Sequence, residues 1–399
     1  MSACVDSASR LRVLVLGYIV RRPLGGGTWP TLQYALGLAR LGHEVYFLED
    51  SDDYLGCYDP SRHVTDADPS FGLRYAKTVF ERVGLGSKWA YYDAHTGVWH
   101  GPCSDRVLKI CANADLLLNV SGINPIRPWL AGVPRRAYID TDPAFEQVRQ
   151  LTDEHRRALA LQHNVFFTLG ENIPAGKAER LPEPTLIWRA TRQPVVLDAW
   201  PVTEPPADGR FTTVMLWHSY RTREYQGQVF GMKSDSFRDF FDLPMRTDSA
   251  LEIAVGGPDV PRDSLRRNGW SVINPLGPTE DPWTYQCYLR ESKGEFTVAK
   301  HGYVTSYCGW FSERSAHYLA SGRPVITQET GFSEWLPTGE GLFSFHSVDQ
   351  ALDALEQVES DLARHGRSAR AIAAEYFDSD RVLMDLIEAA MCAEEGDSA

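Results

Sequence analysis

The chain has 399 residues with a formal net charge of -13, 43% hydrophobic and 23% charged residues. That length exceeds one ordinary core and points to two domains, and the composition is that of a folded globular protein rather than a disordered or fibrous one. No run of Lys/Arg tracks a phosphate backbone and no segment approaches 18 apolar residues, so neither nucleic acid nor membrane is expected as a partner.

The opening residues lack a basic stretch followed by an apolar one, so a cytoplasmic protein is expected. Seven scattered cysteines without a C-x-x-C pair fit a reduced compartment, and zinc has no evident ligand cluster. "LRVLVLGY" reads as a buried strand, followed by Gly25, Gly26 and Gly27 and by the helical "TWPTLQYALGLARLG", with Thr28 as N-cap and Gly42 as C-cap. Three glycines ahead of a helix let the backbone approach an anion closely, or serve as a plain connection.

"HEVYFLED" is the second strand, and "ADLLLNVSG", "RRAYIDTD" and "HNVFFTLGEN" follow it. Strand, helix, strand in repetition argues for a parallel α/β sheet whose ligand side is the carboxyl end of the strands. Asp140 and Asp142 end one such strand. Either could take a proton or hold hydroxyls, and either could instead turn the chain into the next helix. Glu171 is a weaker strand-end carboxylate.

The Pro-rich "QPVVLDAWPVTEPPAD" separates the halves. Strands resume with "RFTTVMLWHSY", which His218 closes, and continue through "SALEIAVGG", "GWSVINPLG", "GEFTVAK", "RPVITQET" and "GLFSF". Lys300 ends "GEFTVAK", a second position for a phosphate-binding cation. "HGYVTSYCGWFSERSAHYLASGRPVI" places a Gly-Trp-Phe-Ser loop before a helix, whose exposed N–H groups suit a diphosphate. Two amphipathic helical patterns close the chain.

The order strand, Gly-rich loop, "ALGLARLGHEV", Pro-rich linker, second α/β half and "YLASGRPVI…TGFSEWLPTGEGL" resembles the nucleotide-sugar glycosyltransferases of the GT-B fold, over essentially the whole chain. The resemblance implies two Rossmann-like domains facing across a cleft: residues 1–200 on the acceptor side, joined by a returning helix at about 378–395, and residues 201–377 on the donor side. It implies a sugar passing from a nucleoside diphosphate of GDP or UDP type to a small hydroxyl or thiol acceptor, in bacterial antibiotic or other specialised-metabolite biosynthesis, with no metal. Catalytic roles fall to Asp140, Glu313 and Lys233. Donor contacts fall to Gly25, Gly26, Gly27, Lys233, Lys300, Gly309, Trp310, Phe311, Ser312, Glu313, Thr330 and Gly331. Acceptor contacts fall to Asp140, Asp142, Trp29 and His218.

The retaining branch of that fold often carries two glutamates eight residues apart, and Gly309 and His317 stand there instead. A surface lysine is the alternative for Lys233. A dinucleotide oxidoreductase is the alternative reading for Glu49 and Asp50 at the second strand's end, although G-x-G-x-x-G is missing. A nucleotide-sugar epimerase of the same fold is another.

Overall fold

The computed structural model describes residues 10–206 and 208–393. Cys4 and the last positions of the helix expected over 378–395 lie outside them. The first half contributes β1 (Arg12–Leu16), β2 (Glu44–Asp50), β3 (Cys57–Asp59), β4 (Val64–Asp66), β5 (Trp89–Asp93), β6 (Val98–His100), β7 (Leu116–Val120), β8 (Arg135–Asp140), β9 (Val165–Thr168) and β10 (Arg189–Ala190). Its helices are α1 (Gly25–Arg40), α2 (Ser70–Arg82), α3 (Val107–Ala112), α4 (Phe145–Thr152) and α5 (Glu154–Ala160).

The second half adds β11 (Phe211–Leu216), β12 (Arg223–Tyr225), β13 (Gln228–Phe230), β14 (Leu251–Gly256), β15 (Ser271–Ile273), β16 (Gly294–Thr297), β17 (Val325–Gln328) and β18 (Leu342–Phe345). With them come α6 (Lys233–Phe237), α7 (Arg262–Arg267), α8 (Pro282–Arg290), α9 (His301–Ser306), α10 (Glu313–Ala320), α11 (Val348–Ser360), α12 (Leu362–Tyr376) and α13 (Ser379–Met391).

Two large sheets result, beside the antiparallel hairpins β3–β4 and β12–β13. The first runs β10-β9-β8-β7-β1-β2-β5-β6, and the second β15-β14-β11-β16-β17-β18. Pairing within these two is parallel throughout except between β5 and β6. The inner strands read as continuous apolar runs because helices cover both faces of a parallel sheet. Val13, Leu14, Val15, Leu116, Leu117 and Leu118 are wholly buried.

The chain crosses at Val195, whose N–H donates to Phe377 O at 2.7 Å and whose carbonyl accepts from Ser379 N at 2.9 Å. The outgoing linker and the returning α13 thus run side by side, and α13 packs on α1 and β8 in the first half. The first of the two closing helical patterns breaks at Asp361, which leaves helical geometry at φ -154° and caps α12 through Arg364 N at 3.0 Å.

The helix after the glycines starts earlier than expected. Gly25, not a residue after Thr28, is the first of α1, and the Thr28 hydroxyl donates to Leu24 O at 3.0 Å instead of capping. The cause is tertiary: Gly25 N–H donates to Thr279 O of the second half at 2.7 Å, which extends the helix toward that half. Pro30 lies inside α1, so the Gly26 carbonyl, four residues back, receives no helical hydrogen bond.

Candidate functional site

A cleft of about 890 Å³ opens between the carboxyl ends of the two sheets. The second half supplies Val214 to Leu216 at the end of β11, Gly256 to Pro258 after β14, and Asn274 to Leu276 after β15. The first half supplies Tyr18, Arg21, Arg22, Leu24, Gly26 and Gly27, with Tyr54, Leu55, Gly56, Tyr58, His63 and Thr65 around the β3–β4 hairpin. Four arginines face it (Arg21, Arg22, Arg262 and Arg314), and among the described residues lining it there is no aspartate or glutamate. Two of the four, Arg21 and Arg314, are backed by Glu49 and Glu295 behind the lining, so the surface turned to a ligand carries guanidinium donors while their counter-charges stand outside it.

The loop after β1 is held by Glu49. Its carboxylate accepts from the N–H groups of Ile19, Val20 and Arg21 at 2.6, 2.8 and 2.8 Å and from Arg21 Nε at 3.3 Å. Burial pushes the Glu49 carboxyl up, against the Arg21 guanidinium and these backbone donors. Arg21 in turn reaches Tyr54 Oη at 2.9 Å and Asn124 Oδ1 at 3.3 Å, so the wall of the cleft is set before any ligand arrives. The oxidoreductase alternative needs Glu49 or Asp50 free to meet ribose hydroxyls. Glu49 is consumed in the wall, and Asp50 is bound bidentately by Arg127 at 3.0 Å.

Arg314, in the first turn of α10, is clamped by strands of its own half. Nε meets Glu295 at 2.5 Å, while the other nitrogens donate to Val214 O at 2.8 Å and Thr297 Oγ1 at 2.9 Å. Glu313 precedes it, half-buried, and burial lifts its carboxyl to about 7, with its own backbone N–H and Lys300 only partly opposing. Lys233 opens α6 and is buried, with no hydrogen bond or ion pair to its ammonium among the described residues. Burial first, and then the neighbouring Arg314 charge, lower its pKa well below that of an ordinary lysine. A surface lysine is therefore excluded. Glu295 opposes that lowering only in part, so burial favours the neutral amine in the free protein.

The two strand-end aspartates separate. Asp142 accepts from Lys300 Nζ at 2.8 Å and from the hydroxyls of Tyr220 and Tyr303, all from the second half. Burial opposes its charge, but Lys300 and these hydrogen bonds outweigh burial and hold the carboxyl below the usual range. Lys300 also lies over the rings of Phe145, Tyr220 and Tyr303, at 5.0, 4.4 and 5.1 Å. Asp140, expected to be catalytic and to hold the acceptor, is 1% exposed. Its carboxylate is taken by Asp142 N–H, Gln147 Nε2 and Thr168 Oγ1 at 2.8, 2.9 and 2.8 Å. It positions the Asp142 loop rather than facing the cleft, and burial lifts it to about 7.

Most of the expected donor loop is a seam between the halves. Gly309 donates its N–H to Thr330 O at 2.8 Å and accepts from Trp335 Nε1 at 3.0 Å. A Cβ on it would sit 2.8 Å from Asn172, and its φ of +78° suits only glycine well. Trp310 stacks on Tyr303 at 4.2 Å and bridges Gly170. Phe311 stacks on Phe377 and gives its carbonyl to Gln193 Nε2 at 3.1 Å. The Thr330 hydroxyl donates to Trp310 O, and the Gly331 carbonyl accepts from Asn172 Nδ2 at 3.1 Å. Ser312 is the buried residue before α10, without a side-chain cap bond. These six residues do not line the cleft.

Of the glycines, Gly26 and Gly27 line the cleft while Gly25 is pressed against the backbone of Asp281. Trp29 is buried at the seam, its Nε1 on Pro282 O at 2.8 Å and its ring 5.1 Å from that of Trp200, so it is not open to an acceptor. His218 is exposed after β11, in the second half rather than on the acceptor side, with Ser234 Oγ at 3.2 Å. Glu171 is paired with Arg192. His317, standing where the retaining branch has a glutamate, stacks on Trp200 at 4.3 Å, and burial drops its pKa to about 3. Among the described residues no group of three or more His, Cys, Asp or Glu is placed to hold a metal, and no helix is long and apolar enough to cross a membrane.

No protein-family model and no curated protein matches the sequence. Solved structures do. An alpha-glucosyltransferase in complex with UDP-glucose and DNA containing an abasic site superposes with a TM-score of 0.58 at 10% identity, covering 95% of this chain and 99% of that one. HepE from Anabaena, in complex with UDP and glucose, gives 0.57 at 12% identity over 95% and 99%. Sucrose-phosphate synthase from Thermosynechococcus elongatus gives 0.51 at 13% identity over 95% and 98%. The chain has the GT-B fold. One of these GT-B structures is a complex with DNA, which overturns the expectation that nucleic acid is excluded as a partner. Net charge averages over the whole surface and does not report where individual cations stand.

Proposed function

We propose that the chain is a glycosyltransferase that moves a sugar from a nucleoside diphosphate to a hydroxyl- or thiol-bearing acceptor. The observation that carries this reading is the cleft of about 890 Å³ with four arginines and no lining carboxylate, between the carboxyl ends of two parallel sheets. UDP or UDP-glucose in structures of the same fold supports the donor class.

In this reading the nucleoside lies against the second half, by Asn274 to Leu276, and its diphosphate turns toward Arg314 and the buried Lys233. Departure of the diphosphate leaves negative charge on its bridging oxygen. Arg314, fixed by three partners, and Lys233, unpaired until then, stabilise that charge with little reorganisation. Glu313, with a carboxyl lifted to about 7, takes the proton that the acceptor loses. Gly26 and Gly27 let the donor and acceptor come close to the α1 backbone. A small acceptor, of the kind glycosylated in bacterial specialised metabolism, rests on the sequence resemblance alone.

The test is a thermal-shift series with UDP, GDP, ADP, TDP and CDP beside NAD and NADP. A ligand at a hundred times its Kd stabilises the folded chain by about 2.7 kcal/mol. A shift with one nucleoside diphosphate is expected, and a shift with NAD or NADP alone sinks the reading. Small hydroxyl and thiol acceptors, and DNA carrying hydroxymethyl bases, are then assayed with the matching sugar donor.

A further inference from the structure

A second, smaller cavity of about 180 Å³ adjoins the cleft and shares Tyr54 and Ile123 with it. It is walled by the turn after β7 and by α4 and α5, all in the first half. Its volume is well below that of a whole ligand site, so it suits one group of a larger molecule lying in the cleft.

The lining groups with hydrogen-bonding capacity to spare are guanidinium donors, Arg149 half-buried and Arg156 exposed at the mouth. Glu146 lines the cavity, but one oxygen accepts from Arg149 Nη1 at 2.8 Å and the other from Gln150 Nε2 at 3.0 Å. Only one Arg149 nitrogen is used in that pair, which leaves the rest of its fork to the cavity. Arg156, the second guanidinium, makes no side-chain hydrogen bond or ion pair among the described residues. Asp153 is close to it but is spent on the cap of α5, accepting from Arg156 N at 3.1 Å. Ile123 N–H donates to no protein group among the described residues, and Ser121 and Gly122 before it turn at positive φ, 63° and 55°. Asp52 is the remaining acid of the lining, and it is half-buried at the rim beside Tyr54.

We propose that this cavity is an acceptor subsite that binds an anionic group, a carboxylate or a phosphate, between Arg149, Arg156 and the Ile123 amide, while the rest of the acceptor extends past Tyr54 into the cleft. The proposal rests on the transferase reading, since it gives that reaction an acidic acceptor. Guanidinium forks match both anions bidentately, and each such charge-assisted contact is among the strong ones.

The experiment separates this subsite from the arginines of the cleft. The protein is saturated with the nucleoside diphosphate that it binds, and inorganic phosphate and acetate are then titrated calorimetrically. Wild-type protein, Arg156→Gln, Arg156→Glu and the double variant Glu146→Gln/Arg149→Gln are compared. The double variant removes a buried pair together, so no buried charge is stranded if the single change at Arg149 fails to fold. The expected result is an anion-binding event in wild type, weakened about tenfold or more in each variant, with nucleotide affinity unchanged. The anion that binds more tightly, tetrahedral phosphate or planar acetate, identifies the acceptor group. Nucleotide binding with no anion event in wild type, or with the same event in every variant, overturns this proposal and leaves the transferase reading standing. No binding of any nucleoside diphosphate overturns both.

Discussion

Asp142, in the turn after β8, and Lys300, ahead of α9, form an ion pair of 2.8 Å across the two halves of the molecule. Tyr220 and Tyr303 complete the carboxylate's hydrogen bonds, so separating the halves here strands two charges at once. The pair fastens the two halves to each other away from the cleft lining, and it engages Lys300 in a contact that a donor would have to displace.

Asp142→Asn therefore costs about 3 kcal/mol of stability by urea unfolding, because Lys300 is left in an aromatic cage without its counterion. The carboxyl is held low in the folded state, so its contribution is present above the ordinary carboxylate range and fades as pH falls through the folded value. Asp142→Asn should flatten that acid limb. A variant that matches wild type in both respects would show the pair to be inert.

Lys233 and Lys300 should respond differently to truncation, although a chain-order reading treats both as phosphate ligands. Lys233→Met replaces a buried amine that has no hydrogen-bond partner among the described residues, so the melting temperature holds or rises while turnover falls by roughly a hundredfold or more. Lys300→Met lowers both. Nucleotide binding should also draw a proton onto Lys233 at a pH where the free ammonium is already deprotonated, because the diphosphate restores the charged form. Calorimetry in buffers of different ionisation enthalpy reads that uptake, and equal heats in all buffers would count against it.

The alternating strands and helices and the glycines after β1 were legible as local patterns, whereas Lys233 was singled out only through the resemblance to a fold. The four arginines were not, since Arg21, Arg22, Arg262 and Arg314 belong to different loops and helix starts with no shared spacing. Asp140 and Asp142 show the limit most clearly. Both stand at one strand end, and which carboxylate is internal depends on Gln147 and Thr168 for one and on Lys300, far along the chain, for the other. Likewise the Gly-Trp-Phe-Ser loop had the composition of a phosphate loop. Its donors and rings are consumed within its own half by Thr330, Tyr303 and Phe377, and Gly170 and Gln193 of the first half close over it.

The three glycines should separate under substitution. A Cβ at Gly25 would stand 2.1 Å from the Asp281 carbonyl oxygen, so Gly25→Ala forces the halves apart and costs about 1–3 kcal/mol or more. At Gly27 no atom lies within 4 Å, and alanine there gains up to about 1 kcal/mol of helix stability. Gly27→Ala nevertheless places a methyl in the cleft, so nucleotide or acceptor binding should weaken while the melting temperature holds. Unchanged affinities for both ligands would remove Gly27 from the site.

Glu313 ties activity to stability through one proton. Its carboxyl titrates at about 7 in the folded chain and in the ordinary carboxylate range when unfolded. The sign follows from a raised acid: folding is most favoured while Glu313 stays protonated, and up to about 3 kcal/mol is lost as pH rises from that range through 7. Glu313→Gln cannot ionise, so the stability difference between variant and wild type should grow from pH 4.5 to 7 and level off above. The same ionised form is the one that accepts the acceptor's proton, so kcat/KM should rise through pH 7 in wild type. The variant should lose about 10²- to 10⁴-fold in rate together with that limb. If Glu313→Gln gains stability at high pH but keeps the rate limb, the carboxyl is a buried liability and the base is another group. Loss of both in one substitution assigns the proton to Glu313.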